Sequence, residues 1–533
     1  MAHKRRDDQT SKIHLSSATL ILVVILAFFG ALLYLNFLLN PVYRGDLIPY
    51  VLLVIAETFL VSQALCALWT ILAGNYNPRN FEFHHTQEHL LNRRGSKSVF
   101  KYPHDAKVLT EQPSLYINSH KVTVDVFIPV FGEPIEVIRK TIVAASSIYG
   151  KHTTYVLDDG KSDEVQKLAK QLNVKYVRRP DNLGAKAGNI NYALKKTSAD
   201  FFVILDADFI AKSNFLFETL PFFENKNIAF VQTPQAYSNM DHMISRGAGY
   251  MQNLFYQLIQ PGKNRFNAAF CVGTNVIFRR SAVDAIGGIY SGSKSEDIWT
   301  SILLHEHGYD SIFIQDVLAV GQTPDTIKAY SKQQLRWATG GFEILLKHNP
   351  LVKRLTLDQK LQYFITVSYY LQGFAIMLLL SLPVIHIFFN WSPVDINLAF
   401  ATWLGYYLSF YGLQILLAFY AMGGFKLDTL ILSVVSFPIY IKAFINALTG
   451  RDEAWQATGS VKRVDSPFNY IIPQMLIFVF LLFTCIVGIW KTYYYESLSV
   501  SLFWVLLNTS VFGTFIAIAI RENAQLKRES RKA

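Results

Sequence analysis

Two aspartates one residue apart, Asp206 and Asp208, close the apolar run FFVILDADFI from Phe201 to Ile210. Read as a buried strand, that run delivers both carboxylates to the crevice at the carboxyl end of an open α/β sheet, where ligands bind. Hard oxygen donors so placed suit Mg²⁺ or Mn²⁺, which prefer carboxylate, water and phosphate oxygens. A solvated turn is the plain alternative for the pair taken alone. Two earlier strand ends also carry acids: Glu133 in FGEP, and Asp158 with Asp159 in VLDDG. Random placement in loops does not favour three successive crevice positions. In NLGAKAGN a glycine turn leads Lys186 into a helix, so backbone amides and an ammonium can meet a diphosphate. Further on, Ser295 stands as an N-cap, with Glu296 and Asp297 in the first turn of an apolar-periodic helix. Capping is one reading of these residues. In the other, the helix N-terminus keeps Asp297 ionised at neutral pH, and it serves as a general base. His305 and His307 at the far end of that helix are not expected to bind metal, and His84-His85 are expected to be solvated. No GxGxxG fingerprint is present, which counts against a nicotinamide or flavin.

What must position these residues is a segment of alternating pattern. KVTVDVFIPVFGEP predicts a strand and a loop, PIEVIRKTIVAASSIYG a helix, and TTYVLDDG a second strand. SDEVQKLAKQL predicts a helix, VKYVRR a third strand, and AKAGNINYALKK another helix before the Asp206 strand. That βαβαβ rhythm implies a mostly parallel, doubly wound sheet. Of 533 residues 51% are apolar, among them 40 Phe and 28 Tyr, and they mass at the two ends of the chain. Such a distribution is the signature of a membrane protein with a polar domain between hydrophobic blocks. The net charge is +11, and the basic residues cluster beside the apolar blocks. The positive-inside rule and anionic headgroups account for that, so a lipid bilayer is the expected partner and nucleic acid is not. Three cysteines provide neither a disulfide framework nor a zinc site.

The expected order begins with a cytoplasmic N-terminus (1–14), two transmembrane helices (15–72) and a juxtamembrane connector (73–118). The α/β domain (119–345) follows, then an amphipathic interface helix (346–364) and two transmembrane helices (365–421). A second interface helix (427–449), a loop (450–468), two transmembrane helices (470–520) and a basic cytoplasmic tail (521–533) complete it. Counting every apolar block as a span gives seven and strands the basic tail outside. Leu427 to Leu448 holds Pro438 and Lys442 in mid-segment, so it is assigned to the interface, leaving about six spans. Apart from Lys442 the blocks read as nearly free of charge, which counts against a transporter or channel with a regulatory middle domain.

In this order the motifs resemble those of the processive, membrane-integrated, inverting glycosyltransferases of the cellulose synthase type, family 2 with a GT-A fold. The matching stretches are VLDDG, KAGN, DAD, VQTPQ, SED and QQLRW, the last carrying Gln333, Arg336 and Trp337. The resemblance implies a cytosolic, Rossmann-like GT-A domain inserted between N- and C-terminal transmembrane helices, in the plasma (inner) membrane. It implies that Glu133 and Asp158 contact the uridine end of a UDP-sugar and Lys186 its diphosphate, with Asp159 also in the nucleotide-sugar site. Asp206 and Asp208 would hold the nucleotide and Mg²⁺ or Mn²⁺, while Gln333 and Arg336 complete the donor site. Asp297 would deprotonate the acceptor hydroxyl, with Glu296 and Trp337 on the acceptor. WQATGSVKR resembles a gating loop and includes Trp455 and Thr458. Three departures stand out: SED in place of TED, FCVGTN in place of FFCGS with Val272 at the usual Cys, and Ser460 where Lys is usual. No cyclic-dinucleotide-binding domain is expected to follow. The implied reaction transfers glucose from UDP-glucose, with inversion, to the non-reducing end of a growing β-glucan secreted through the protein's own channel. Cellulose, mixed-linkage and 1,3-β-glucan are the candidate products, and accessory export subunits the candidate partners. A hyaluronan- or chitin-type synthase with an N-acetylated donor is the alternative, as is a non-processive lipid glycosyltransferase.

Overall fold

The structure, a computed structural model, describes residues 17–91, 112–395, 397–451, 466–496 and 499–530. The N-terminal apolar blocks form two helices, α1 (Ala18–Leu39) and α2 (Leu47–Ala73). Between them and the C-terminal helices lies a seven-stranded sheet. Its strands are β1 (Val124–Val130), β2 (Thr153–Asp158), β3 (Lys175–Val177), β4 (Phe201–Ile204), β5 (Ile228–Gln232), β6 (Val276–Arg279) and β7 (Asp310–Phe313). In space they run β7-β5-β6-β4-β1-β2-β3. Pairing is parallel except at β6, which runs antiparallel to both β4 and β5. The sheet is thus mostly parallel, as its pattern predicts, with one reversed strand.

Every residue of β1 is buried, because helices cover both faces of the sheet. Side chains alternate along a strand, so Val126 and Ile128 join one apolar core while Phe127 joins the other. Three helices bring chemistry to the carboxyl edge: α3 (Ala185–Leu194), α4 (Glu296–Glu306) and α5 (Ile327–Lys347). The connector contributes a helix over Phe81–His89, and Arg79 beside it pairs with Glu218 at 3.1 Å and Asp316 at 2.7 Å on the α/β domain.

Seven helical segments among the described residues are long and apolar enough to cross a membrane by length and composition. One of them, Leu427–Thr449, is two helices, Leu427–Val435 and Phe437–Thr449, that meet at Ser436 beside Pro438. The single amphipathic helix expected over 346–364 is corrected. Helix α5 runs on to Lys347, Pro350 opens a 3-10 turn, and a new helix, Leu357–Ser368, starts at a capping box of Thr356 and Gln359. Proline cannot donate to the helical ladder, and the reciprocal cap fixes the restart.

A second correction concerns charge in the apolar blocks. Glu57 sits in mid-α2, 3% exposed, and its two oxygens lie 2.7 and 2.8 Å from the Tyr411 hydroxyl that donates to them. Tyr411 belongs to a π-helical turn, Leu408–Gly412, between Phe400–Tyr407 and Leu413–Met422. A carboxyl group in an apolar helix is tolerated because a neighbouring helix supplies its donor.

Candidate active site

The acids at the sheet's carboxyl edge differ in what surrounds them. Asp158, 1% exposed, accepts at Oδ2 from the Ser162 N–H (2.8 Å) and the Tyr176 hydroxyl (2.7 Å). Its Oδ1 is buried with no hydrogen-bond partner. An unmatched buried acceptor costs about 1–3 kcal/mol, which a donor from a ligand would recover. Glu133 accepts from the Phe131 N–H at 2.6 Å; burial raises its pKa, and the charges of Asp206 and Asp158 push the same way.

Asp159 faces the other way. Both its oxygens accept from Arg179, at 2.6 Å each, in a buried bidentate pair. Arg179 also donates to the carbonyls of Leu183 (2.5 Å) and Ala185 (2.8 Å), so the pair secures the turn that presents Lys186. A Cβ on Gly188 would stand 1.9 Å from the Leu183 carbonyl oxygen, so the helix entry in KAGN is closed to larger residues.

Lys186 Nζ donates to the Asp206 carboxylate and, at 2.6 Å, to the Gly273 carbonyl. Burial, the largest single effect, lowers the ammonium's pKa, but the Asp206 charge and hydrogen bond together with the Glu296 charge outweigh it, and the net shift is upward. The Asp206 N–H is held by Thr274 Oγ1 at 2.8 Å. Asp208 is pushed up to about 7, first by burial and then by the neighbouring Asp206 charge. Two carboxylates that repel each other in a desolvated site fit a divalent cation. No group of three or more His, Cys, Asp or Glu side chains able to hold a metal occurs among the described residues. A cation here would therefore draw its remaining ligands from water or a bound phosphate, as Mg²⁺ characteristically does. His305 is no ligand: it is buried against Ser311 (3.0 Å) and Tyr363 (2.8 Å), and burial lowers its pKa to about 3.

Asp297 lies in the first turn of α4, its Oδ1 accepting from the Ile298 N–H at 2.8 Å. Burial, then the Glu296 charge, pushes its pKa up to about 7. The expectation that the helix N-terminus keeps it fully ionised at neutral pH is corrected, since desolvation outweighs the dipole. A pKa near the working pH is the value a general base needs. Helix α5 presents Gln333, Arg336 and Trp337 at positions i, i+3 and i+4, hence on one side. Arg336 is exposed, and its charge opposes the upward shift of Asp297 and the protonation of Lys186. Gln333 Oε1 is buried without a partner, and Trp337 is half-buried. Trp455 and Thr458 lie outside the described residues.

Sequence reasoning missed what joins α5 to the Asp297 turn. A Cβ on Gly340 would fall 2.1 Å from Ser295 Oγ, and Glu343 accepts from the Lys294 N–H at 3.2 Å and Ser293 Oγ at 3.3 Å. The same Cβ would stand 2.8 Å from the Ser295 backbone nitrogen, so Gly340→Ala requires α5 and the turn that carries Asp297 to move apart. Displacement of a reacting group by about 1 Å costs on the order of 10²-fold. If Asp297 serves as the base the sequence suggests, the expected result is a folded protein with turnover reduced about 10²-fold; turnover within about threefold of wild type would refute the contact's importance.

Residues 120–340 match the family model described as glycosyltransferase like family 2, and residues 283–423 match the one described as cellulose synthase. The cellulose synthase 1 catalytic subunit [UDP-forming] of Komagataeibacter xylinus is 33% identical over 278 residues, which is 50% of this chain and 37% of that protein. The cellulose synthase catalytic subunit [UDP-forming] of Xanthomonas axonopodis pv. citri is 35% identical over 261 residues, 47% of this chain and 36% of that protein. The matches thus span little more than a third of these relatives' length. Among solved structures, the mannosyltransferase PcManGT from Pyrobaculum calidifontis, in complex with GDP-Man and Mn²⁺, aligns with 75% of this chain and 100% of its own. The TM-score is 0.49 and the identity 16%.

Proposed function

We propose that this chain, a family 2 glycosyltransferase with a cellulose-synthase-type segment, is a processive synthase that transfers glucose from UDP-glucose to a growing β-glucan. The observation that carries the reading is the meeting of Lys186, Asp206 and Asp297 around Gly273, beneath the helix that bears Arg336 and Trp337. In this reading Asp158 Oδ1 takes an N–H from the nucleotide base, and Lys186 and Arg336 face the diphosphate. A divalent ion held by Asp206 and Asp208 would neutralise charge on the leaving diphosphate. Asp297 removes the proton from the acceptor hydroxyl. That oxygen bonds to the anomeric carbon as the bond to the diphosphate breaks on the opposite face, so an α-linked donor yields a β-linked product. The nucleoside diphosphate departs, and the proton stays on Asp297. Trp337 offers a flat apolar face on which the acceptor sugar can stack.

The membrane part of the proposal is six spans, with 427–449 at the interface on the side of the catalytic domain. Supporting it, Arg246 pairs with Asp428 at 2.8 Å, and a Cβ on Gly247 would meet the Asp428 carbonyl oxygen at 2.9 Å. Tyr330 and Tyr440 tie α5 to the same segment through Ser436 (2.8 Å) and Gln334 (3.3 Å). A cysteine introduced at the exposed Thr449 should resist an impermeant maleimide in intact cells and react after permeabilisation. Labelling in intact cells would overturn the topology.

The donor and product are tested by incubating membranes with each labelled nucleotide sugar and digesting the product with linkage-specific hydrolases. Glucose incorporation into a polymer degraded by β-glucanases is expected. Incorporation of an N-acetylated sugar alone, or a glycolipid carrying one sugar, would replace this reading.

A further inference from the structure

Strand β5 is apolar until its last residue, Gln232, whose side chain is fully buried. An amide in that position is costly unless every polar atom is matched. Here the matches all lie around one loop. Oε1 accepts from the Val272 N–H at 3.0 Å, and Nε2 donates to the carbonyls of Thr233 and Thr274, both at 2.8 Å. A third carbonyl, of Asn275, lies 3.2 Å from the same nitrogen. One side chain thus ties together the two ends of the loop 272–275.

That loop needs an external tie. Gly273 and Asn275 have φ of +83° and +54°, so two of its four residues are left-handed and no regular ladder supports them. What the loop displays is the donor site: the Gly273 carbonyl receives Lys186 Nζ at 2.6 Å, and Thr274 Oγ1 receives the Asp206 N–H at 2.8 Å. Gly273 also abuts Asp297, whose Oδ2 lies 3.4 Å from the site of a glycine Cβ. We propose that Gln232 is a positioning residue: by fixing this loop it sets Lys186 and Asp206 where a nucleoside diphosphate and its divalent cation must bind. The inference rests on the donor-site reading above.

Two substitutions separate this role from simple core filling. Gln232→Glu keeps an acceptor for the Val272 N–H but cannot donate to the three carbonyls when ionised. Thr274→Val keeps shape and removes the oxygen that holds the Asp206 N–H and that donates to Asn275 Oδ1 at 3.3 Å. UDP binding to the purified full-length protein is measured by calorimetry with and without Mn²⁺, beside the melting temperature and the UDP-glucose KM. Both variants should weaken Mn²⁺-dependent UDP binding at least tenfold and raise the donor KM in parallel, with Thr274→Val melting close to wild type. Wild-type UDP affinity in either folded variant overturns the proposal, whatever the change in melting temperature. Should Gln232→Glu fail to fold, Gln232→Met, of similar length and without the amide, is measured in its place, and wild-type UDP affinity there overturns the proposal. Wild-type protein that binds no UDP with Mn²⁺ would overturn the donor-site reading and this inference with it; UDP binding by the wild type that either folded variant retains in full overturns the inference alone.

Discussion

On the proposed mechanism, Asp297→Asn should cost polymer synthesis about 10²–10⁴-fold, the contribution of a positioned general base, while UDP binding in the presence of Mn²⁺ persists. Asparagine keeps the oxygen that accepts from the Ile298 N–H at 2.8 Å, so the α4 turn keeps its geometry. What disappears is the proton acceptor. With a pKa near 7 in the folded protein, wild-type kcat/KM should fall about tenfold per pH unit below that value and level off above it. The residual activity of the variant should lack that limb. The same shift has a stability consequence whose sign is opposite to that of a salt-bridged acid. The folded state holds the Asp297 proton up to about 7, whereas an unfolded chain releases it near 4. Stability from this group is therefore present at low pH and declines as pH rises through that window. Asp297→Asn removes the decline, so the variant should melt above wild type at pH 8 and alongside it at pH 4. A variant that makes polymer at near-normal rates would remove Asp297 from the mechanism.

Asp208→Asn should abolish the metal-dependent part of nucleotide binding, with Mn²⁺-dependent UDP affinity lower by about 10²-fold or more. Burial and the Asp206 charge make the Asp208 carboxylate an unfavourable neighbour in the absence of a cation. Neutralising it relieves that repulsion, so the metal-free variant should be at least as stable as metal-free wild type. Added Mn²⁺ and UDP raise the stability of any protein that binds them only when folded, by RT ln(1 + [L]/Kd). Wild type should thus gain several degrees in melting temperature, and Asp208→Asn little. Equal thermal shifts would show that the cation does not depend on Asp208. The two substitutions are distinguishable: one loses turnover with binding kept, and the other loses binding.

Much of the catalytic edge could be read from local pattern. Apolar runs that stop at Asp158 and at Asp206 mark strand ends, and Ser295 followed by two acids marks a helix start. Each signal lies within a few residues, because period and capping are properties of neighbouring side chains. Local pattern also placed Lys186 at a helix entry. It did not reveal that Asp159 is taken up by Arg179, twenty residues on, nor that Lys186 reaches a carbonyl 87 residues away. The signal for Gln232 was present as one polar residue ending an otherwise apolar strand, but a strand end next to solvent would look the same.

The charge and breaks of the membrane region divide in the same way. Sequence by itself determined which blocks are long and apolar enough to span, because hydropathy is additive along the chain. Tertiary structure decided how one carboxyl group is accommodated there: Glu57 reads as an anomaly in α2 until Tyr411, 354 residues later, supplies its donor. It likewise decided that α5 lies against the Asp297 turn, since only the folded chain brings Gly340 to Ser295. The order of the acids and the lysine along the chain follows from strand and helix periods, which repeat every two or 3.6 residues. Their convergence on Gly273 follows from sheet order, and β6 enters that order between β4 and β5 although it follows both in sequence. Periodicity is a short-range property and sheet order a long-range one, so the composition of the site was legible in the sequence while its geometry waited on the fold.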